Sequence, residues 1–185
     1  MKKIDEFNAS DRIGVKLLDN SIFFLSGEIT EDNITDCIKW LVYENLENKE
    51  KVLTLYINSS GGDLYQAFAL IDIMRNSKHT VRTIAIGSVM SAAFLIFVSG
   101  TKGERYLAQN TGVMCHQFSS GTEAKFHDIK AEMKENELLN KKMVDIIKTA
   151  TDLPVNKIKA KLLPASDVYL TCQEALEYNI ADHLI

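Results

Sequence analysis

Segments typical of strands and segments typical of helices alternate along this 185-residue sequence, and that alternation constrains the fold more than any other feature. Short apolar runs that end in glycine or polar residues predict strands, and apolar residues at helical spacing predict helices. The predicted strands are 21–27, 51–62, 80–88, 104–110 and 111–118, and the predicted helices are 29–48, 63–77, 90–100 and 122–150. Strands that alternate with helices favour βαβ crossovers. We therefore predict an α/β fold with a largely parallel sheet, in a single domain over 1–185.

Two loops of this pattern lie at the carboxyl ends of predicted strands, where parallel sheets bind their ligands. They are "NSSGGD" (58–63) and "GSVMS" (87–91). The second loop ends in Ser91, which precedes two alanines in an apolar helix. A serine in such a run usually serves packing. Its place at a helix start, after a predicted strand, makes a nucleophile the alternative, and serine needs a neighbouring base for that role.

Four histidines are available as that base. His79 lies in a polar turn and is predicted to be solvated, His127 lies on the charged face of the long helix, and His183 is near the C-terminus. His116 instead ends an apolar strand beside a loop, which suits either a buried, satisfied histidine or a catalytic base. Cys115 beside it does not suggest a cysteine–histidine pair, because adjacent strand residues point to opposite faces.

Acyl transfer also needs an orienting acid and donors for an oxyanion. Asp167 precedes an apolar, strand-like segment, although many other acids are present and spacing alone does not select it. The double glycine of "SSGG" lets backbone N–H groups face a ligand, and the N–H of Ala92 lies at a helix start that favours negative charge. A double glycine is equally suited to a plain strand-to-helix turn.

Composition narrows the function classes further. The net charge of −4 and the absence of a basic cluster argue against nucleic acid and against an anionic membrane as partners. The longest apolar run, 92–98, is too short to span a bilayer, and lysines at the N-terminus precede no apolar leader. Cys37, Cys115 and Cys172 lack C-x-x-C spacing, so we expect reduced thiols, no zinc site and a cytoplasmic protein.

Three stretches together resemble the ClpP family, the proteolytic subunit of the Clp protease. They are "LYINSSGGDLYQAFALIDIM", "IGSVMSAAFLIFVSGTKGERYLAQNTGVMCHQ" and "DVYLTCQEALEYNIAD". The resemblance runs from about residue 13 to residue 182, and the motifs keep the family's order. It implies a crotonase-like fold of stacked βαβ units with a projecting handle helix, here 122–150, behind an N-terminal segment, here 1–20.

The resemblance also implies roles for individual residues. Ser91 matches the family's nucleophile, His116 its general base and Asp167 its orienting acid, while Gly62 and Ala92 match the oxyanion donors through their backbone N–H groups. The implied activity is a serine endopeptidase that needs no metal or organic cofactor. Its substrates would be unfolded polypeptides, its assembly stacked heptameric rings, and its partner an AAA+ unfoldase.

The chain departs from the family pattern in several places. Alanine replaces methionine at Ala92, which reshapes the neighbouring pocket without removing a backbone donor, and Phe118 replaces a proline. Asn179 replaces a glycine, which is a plausible exchange because asparagine tolerates a positive φ. Ala165 and Ser166 stand where many members carry an acid and an arginine that join the rings.

Two rival functions are a non-catalytic, accessory ring subunit and a crotonase-fold acyl-CoA enzyme.

Overall fold

The computed structural model describes residues 8–118 and 125–185. Its helices are α1 (Ala9–Asp19), α2 (Glu31–Glu44), α3 (Leu64–Arg75), α4 (Ala92–Val98), α5 (Phe126–Thr151), α6 (Val155–Lys161) and α7 (Cys172–Glu177). Its strands are β1 (Ile22–Ser26), β2 (Val52–Ser59), β3 (Thr80–Met90), β4 (Arg105–Leu107), β5 (Gly112–Cys115), β6 (Val168–Leu170) and β7 (His183–Leu184). The order of elements confirms the predicted alternation and the α/β class.

The sheet is parallel except at one edge. Strands β1, β2 and β3 pair in parallel, and β3 then pairs with two different strands along its length. Its first half pairs with β4, which in turn pairs with β7, and its last three residues pair with β5. Among the strands of the described residues, β6 alone runs antiparallel, against β5. This branching brings the carboxyl ends of β2, β3 and β5 to one region of the molecule.

Local sequence signals explain where the helices that follow β1 and β2 begin. The backbone N–H of Thr30 donates to Asn33 Oδ1 (3.0 Å) at the start of α2. Asp63 caps α3 by accepting from the N–H groups of Tyr65 and Gln66. Such side chains satisfy N–H groups that have no partner within the helix. The helices therefore begin directly after the loops at the sheet's carboxyl edge.

Helix α4 lies at the centre of the core. All seven of its residues are buried, and it packs against β2, β3, α3 and α5. A helix that is apolar on every side is stable only when other elements surround it. Its N-terminus, immediately after Ser91, is consequently held in a fixed position by the whole core.

Arg105 links several distant segments beside this core. Its side chain is 2% exposed, and its guanidinium donates to both carboxylate oxygens of Asp182 and to the carbonyl oxygens of Val98 and Ala150. Burial by itself raises the pKa of Asp182, but the hydrogen bonds from Arg105 and from the N–H of Gly103 outweigh it and lower that pKa. The ion pair joins β4 to Asp182, just before β7, and the bonds to the two carbonyl oxygens join it to the C-terminal ends of α4 and α5.

The structure adds three helices that the sequence did not predict, which are α1 within the segment 1–20, α6 after the long helix and α7 near the C-terminus. Residues 1–7 of that segment, and 122–124 of the predicted handle helix, lie outside the described residues. From Phe126 the long helix continues to Thr151, and Asp152, directly after it, has a left-handed φ of 60°. The left-handed residue ends the helix.

The prediction that His79 is solvated is wrong. Its side chain is 5% exposed, and its Nε2 lies 3.0 Å from the carbonyl oxygen of Glu44, at the end of α2. The turn before it is tied to the same helix end, because Asn45 Oδ1 accepts from the hydroxyl of Ser77 and the N–H of Lys78. The polar turn packs against the end of α2, and this tertiary contact buries the histidine. The composition of the turn does not reveal such a contact.

Candidate active site

Ser91 occupies a strained backbone position between β3 and α4. Its φ is 54°, a left-handed value that is uncommon for residues other than glycine. Its N–H donates to the carbonyl oxygen of Met114 in β5 (3.0 Å), and its own carbonyl accepts from the N–H of Phe94 (3.0 Å). These bonds to a strand and a buried helix hold the unusual conformation, and strain of this kind is concentrated at functional sites.

His116 lies next to Ser91 because β3 and β5 are neighbours. Their register pairs Met90 with Met114, so the residues that follow each strand emerge side by side. His116 Nε2 is 2.7 Å from Ser91 Oγ, which is hydrogen-bonding distance and the reach that a general base needs. The structure thus brings together the serine and the histidine that the sequence analysis selected.

Asp167 approaches the other nitrogen of the same imidazole. Strand β6 pairs antiparallel with β5 through Val168 and Cys115, which sets the preceding Asp167 beside His116. Its Oδ1 is 3.6 Å from His116 Nδ1, longer than a hydrogen bond, and its side chain is 54% exposed. A carboxylate on this side favours the tautomer with the proton on Nδ1, which leaves Nε2 free to accept from Ser91.

The double glycine forms a turn in close contact with Ser91. Gly61 and Gly62 have φ values of 104° and 146°, and a Cβ on Gly61 would lie 2.7 Å from Ser91 Cβ. Gly62 bridges to Ile29 through the carbonyl of Gly61 (2.8 Å) and the N–H of Asp63 (2.9 Å), so neither bridge bond uses the N–H of Gly62. The turn needs glycine both for its conformation and for its approach to the serine.

These groups surround a cleft of about 100 Å³. Its lining is Gly62, Leu64, Ser91, Ala92, His116, Phe118 and Met143. Four of the five predicted site residues line the cleft. Asp167 does not line it and lies instead beside the Nδ1 atom of His116. A larger cleft of about 630 Å³ between α1 and α2 has no histidine in its lining.

Leu64 and Met143 belong to the site but were not predicted to do so, and Phe118 was noted only as a departure from the family. Leu64 follows the double glycine by two residues, a local signal that was available. Met143 lies on α5, far along the chain, and no local pattern distinguishes it from the other apolar residues of that helix.

Cys115 does not contribute a nucleophile. It is buried, and burial raises the pKa of its thiol to about 12. The reactive form of cysteine is the thiolate, which such a pKa excludes near neutral pH. Cys37, Cys115 and Cys172 are all free thiols. Within 8–118 and 125–185, no three His, Cys, Asp or Glu side chains converge as metal ligands, and no helix is long and apolar enough to cross a bilayer.

Comparison with known proteins agrees with the motifs. Residues 5–185 match the sequence model of the family described as Clp protease. An ATP-dependent Clp protease proteolytic subunit from Deinococcus radiodurans is 31% identical over 170 residues, which cover 92% of this chain and 82% of that protein. The ATP-dependent Clp protease proteolytic subunit 1 of Rhodopirellula baltica is 32% identical over 173 residues, 94% of this chain and 75% of that protein. The chain therefore belongs to the Clp protease family, as the resemblance of its motifs indicated.

Proposed function

We propose that this chain is a serine endopeptidase of the Clp type, with Ser91 as nucleophile, His116 as general base and Asp167 as orienting acid. The observation that carries the proposal is the 2.7 Å contact between His116 Nε2 and Ser91 Oγ at the N-terminus of a buried helix. Serine is a weak nucleophile until a neighbouring base accepts its proton, and this contact supplies that base.

The proposed reaction follows from the positions of these groups. Ser91 Oγ attacks the scissile carbonyl carbon while His116 Nε2 takes its proton, and the negative oxygen is bound by the N–H groups of Gly62 and Ala92. Asp167 stabilises the imidazolium. His116 then gives the proton to the leaving amine, and water hydrolyses the acyl-enzyme by the same route. Every step uses this chain's own groups, and the route requires no metal or organic cofactor.

The natural substrates in this proposal are unfolded polypeptides. Both relatives are named as subunits of an ATP-dependent protease. By analogy we assign this chain to the cytoplasm, in heptameric rings stacked in pairs, with an AAA+ unfoldase that uses ATP to deliver substrates. The sequence beyond the site supports self-association through helix α5.

Helix α5 divides into two halves of different character. The apolar side chains of its C-terminal half are buried in the core, whereas Ile129, Met133 and Leu138 in its N-terminal half are exposed apolar side chains. Exposed apolar residues on a projecting helix suit contact with another subunit. We propose that this half forms the contact between rings. Because Ala165 and Ser166 replace the family's acid and arginine, charged groups on α5 would carry more of this contact, which salt weakens.

Two alternatives compete with this proposal. A non-catalytic, accessory ring subunit would have no need for the strained φ of Ser91 or for its contact with His116. An acyl-CoA enzyme on a crotonase-like fold would use the oxyanion turn but not the serine–histidine pair. Both alternatives therefore leave the most specific feature of the cleft without a role.

Labelling with a fluorophosphonate probe tests the proposal. We expect the probe to react with the wild-type chain, and mass mapping to place the adduct on Ser91. Ser91→Ala should abolish both labelling and peptide hydrolysis, while Ser88→Ala, at a half-buried serine in the preceding strand β3, should retain both. Labelling that persists in Ser91→Ala, or a wild-type chain that neither reacts nor hydrolyses any peptide, would overturn the proposal.

A further inference from the structure

Asp167 lies at the end of a short loop between α6 and β6. Ala165, Ser166 and Asp167 are all exposed, and the first two carry no charge that could hold the loop through an ion pair. The Asp167 carboxylate nevertheless has to stay beside His116 Nδ1, which is 3.6 Å from its Oδ1. A segment with few buried contacts opens easily unless its ends are fixed. The two ends of this loop therefore control the position of the carboxylate.

The C-terminal end of the loop is fixed by strand pairing. Asp167 is followed directly by Val168, the first residue of β6, and Val168 pairs with Cys115 in β5. Cys115 is followed directly by His116. This end of the loop is therefore joined to the strand that carries the histidine, one residue before the histidine.

The N-terminal end of the loop is fixed by the side chain of Gln117. The amide nitrogen Nε2 of Gln117 donates to the carbonyl oxygen of Leu163 at 2.9 Å, a normal hydrogen-bond length. Leu163 is 4% exposed, and its own N–H donates to the carbonyl oxygen of Ile158 in α6 (2.9 Å). Since Gln117 directly follows His116, this end is joined to the same segment, one residue after the histidine.

We propose that Gln117 is a positioning residue, whose amide holds the loop 164–167 so that Asp167 stays beside His116. The inference rests on the proposed peptidase function and adds a residue to the same site. The contacts form a closed circuit that runs from His116 through Gln117 to Leu163, and along the loop through Asp167 back to the imidazole. Loss of the amide opens this circuit and leaves the carboxylate fixed at one end only.

The position of Gln117 shows that it acts through its neighbours. It lines a cleft of about 260 Å³ that is separate from the one beside Ser91 and is also lined by Asn140, Val144, Lys159 and Leu163. Its amide hydrogen-bonds to the backbone of Leu163. The path from Gln117 to the reacting atoms therefore runs through the loop and Asp167.

The histidine segment itself is also held by a different bond. The backbone N–H of Phe118 donates to Asn140 Oδ1 on α5 (3.3 Å), and this bond does not involve the loop 164–167. The pairing of β5 with β3 and β6 holds the residues before His116. Removal of the Gln117 amide should therefore release the loop while the histidine stays in place.

The rate of Ser91 labelling by a fluorophosphonate measures the effect on the full-length protein. The probe is small, so its rate reports the reactivity of Ser91 rather than the binding of a peptide. Gln117→Met keeps the length of the side chain and removes the donor. We expect labelling to slow by about tenfold to a hundredfold, because a misplacement of about 1 Å can cost about a hundredfold in rate. Peptide hydrolysis should lose kcat while KM stays nearly unchanged.

Combination with Asp167→Asn distinguishes positioning from a general loss of stability. If Gln117 acts through the carboxylate, Gln117→Met should have little further effect on labelling once Asp167→Asn has removed that carboxylate. If the bond only supports the fold, the two losses should multiply. Gln117→Leu also lacks a donor and repeats the comparison if the methionine variant folds poorly. Gln173→Met, at an exposed glutamine on α7, is the matched control and should keep wild-type rates.

The outcomes separate this inference from the proposed function. Wild-type labelling rates in the Gln117 variants overturn the inference and leave the peptidase function standing. An equal loss from Gln117→Met with and without the Asp167 carboxylate does the same, as does a loss larger than that of Asp167→Asn. A wild-type chain that neither reacts with the probe at Ser91 nor cleaves any peptide overturns the peptidase function, and this inference with it.

Discussion

Replacement of Asp167 by asparagine tests how much the loosely placed carboxylate contributes to the proposed reaction. The carboxylate lies 3.6 Å from His116 Nδ1, and its attraction for the imidazolium at that distance is about 1 kcal/mol in water and about 5 kcal/mol at an effective dielectric constant of 20. Because the Asp167 side chain is 54% exposed, the true value lies between these limits. Each 1.4 kcal/mol is about tenfold in rate, so we expect a loss of about sevenfold to a few thousandfold. A buried, directly bonded aspartate is worth about 10⁴-fold.

The assay combines the rate of Ser91 labelling by a fluorophosphonate with kcat/KM for a leucine peptide. Asp152→Asn is the control, since Asp152 is exposed and pairs with Lys102 on the surface, away from the cleft. Near-native rates in Asp167→Asn would show that another group orients His116. A loss of about 10⁴-fold or more would contradict the loss expected from the 3.6 Å separation. A loss of that size would require a direct hydrogen bond between Asp167 and His116 in the working enzyme.

Three further predictions concern the turn, the buried ion pair and the assembly. Gly61→Ala should abolish labelling at Ser91, since the new Cβ would lie 2.7 Å from the serine Cβ; unchanged labelling would contradict the close packing. Asp182→Asn should lower the melting temperature by about 6–12 °C at neutral pH, because loss of a buried partner costs about 3 kcal/mol or more and leaves Arg105 uncompensated. Since the folded state lowers the pKa of Asp182, this stabilisation is present above the ordinary carboxyl pKa and disappears as the pH falls through the lowered value, so wild type and variant should converge in acid. Thermal unfolding at fixed protein concentration over a pH series measures this, and an equal difference at every pH would contradict it. Sedimentation velocity at low and high salt, run beside peptide cleavage, should show double rings that separate and lose activity as salt rises; a fully active double ring at high salt, or an active monomer, would contradict the role given to α5.

The sequence by itself determined the order of the central strands and helices and the position of the reactive loops. Strands β1, β2 and β3 and helices α2, α3 and α4 are visible as local patterns, because the spacing of apolar residues reports which side of an element is buried. The double glycine and Ser91 were selected for the same reason, since each follows a strand and precedes a helix. His116 was distinguished from the other histidines by the apolar strand that it ends.

The tertiary structure decided everything that depends on which distant segments meet. Spacing left Asp167 one acid among many and only the family resemblance pointed to it, whereas the pairing of Cys115 with Val168 sets it beside His116. The burial of His79 and the contribution of Met143 to the cleft likewise depend on helices that pack from elsewhere in the chain. Local periodicity carries no information about strand partners more than fifty residues apart, because their register results from the packing of whole elements against a shared core.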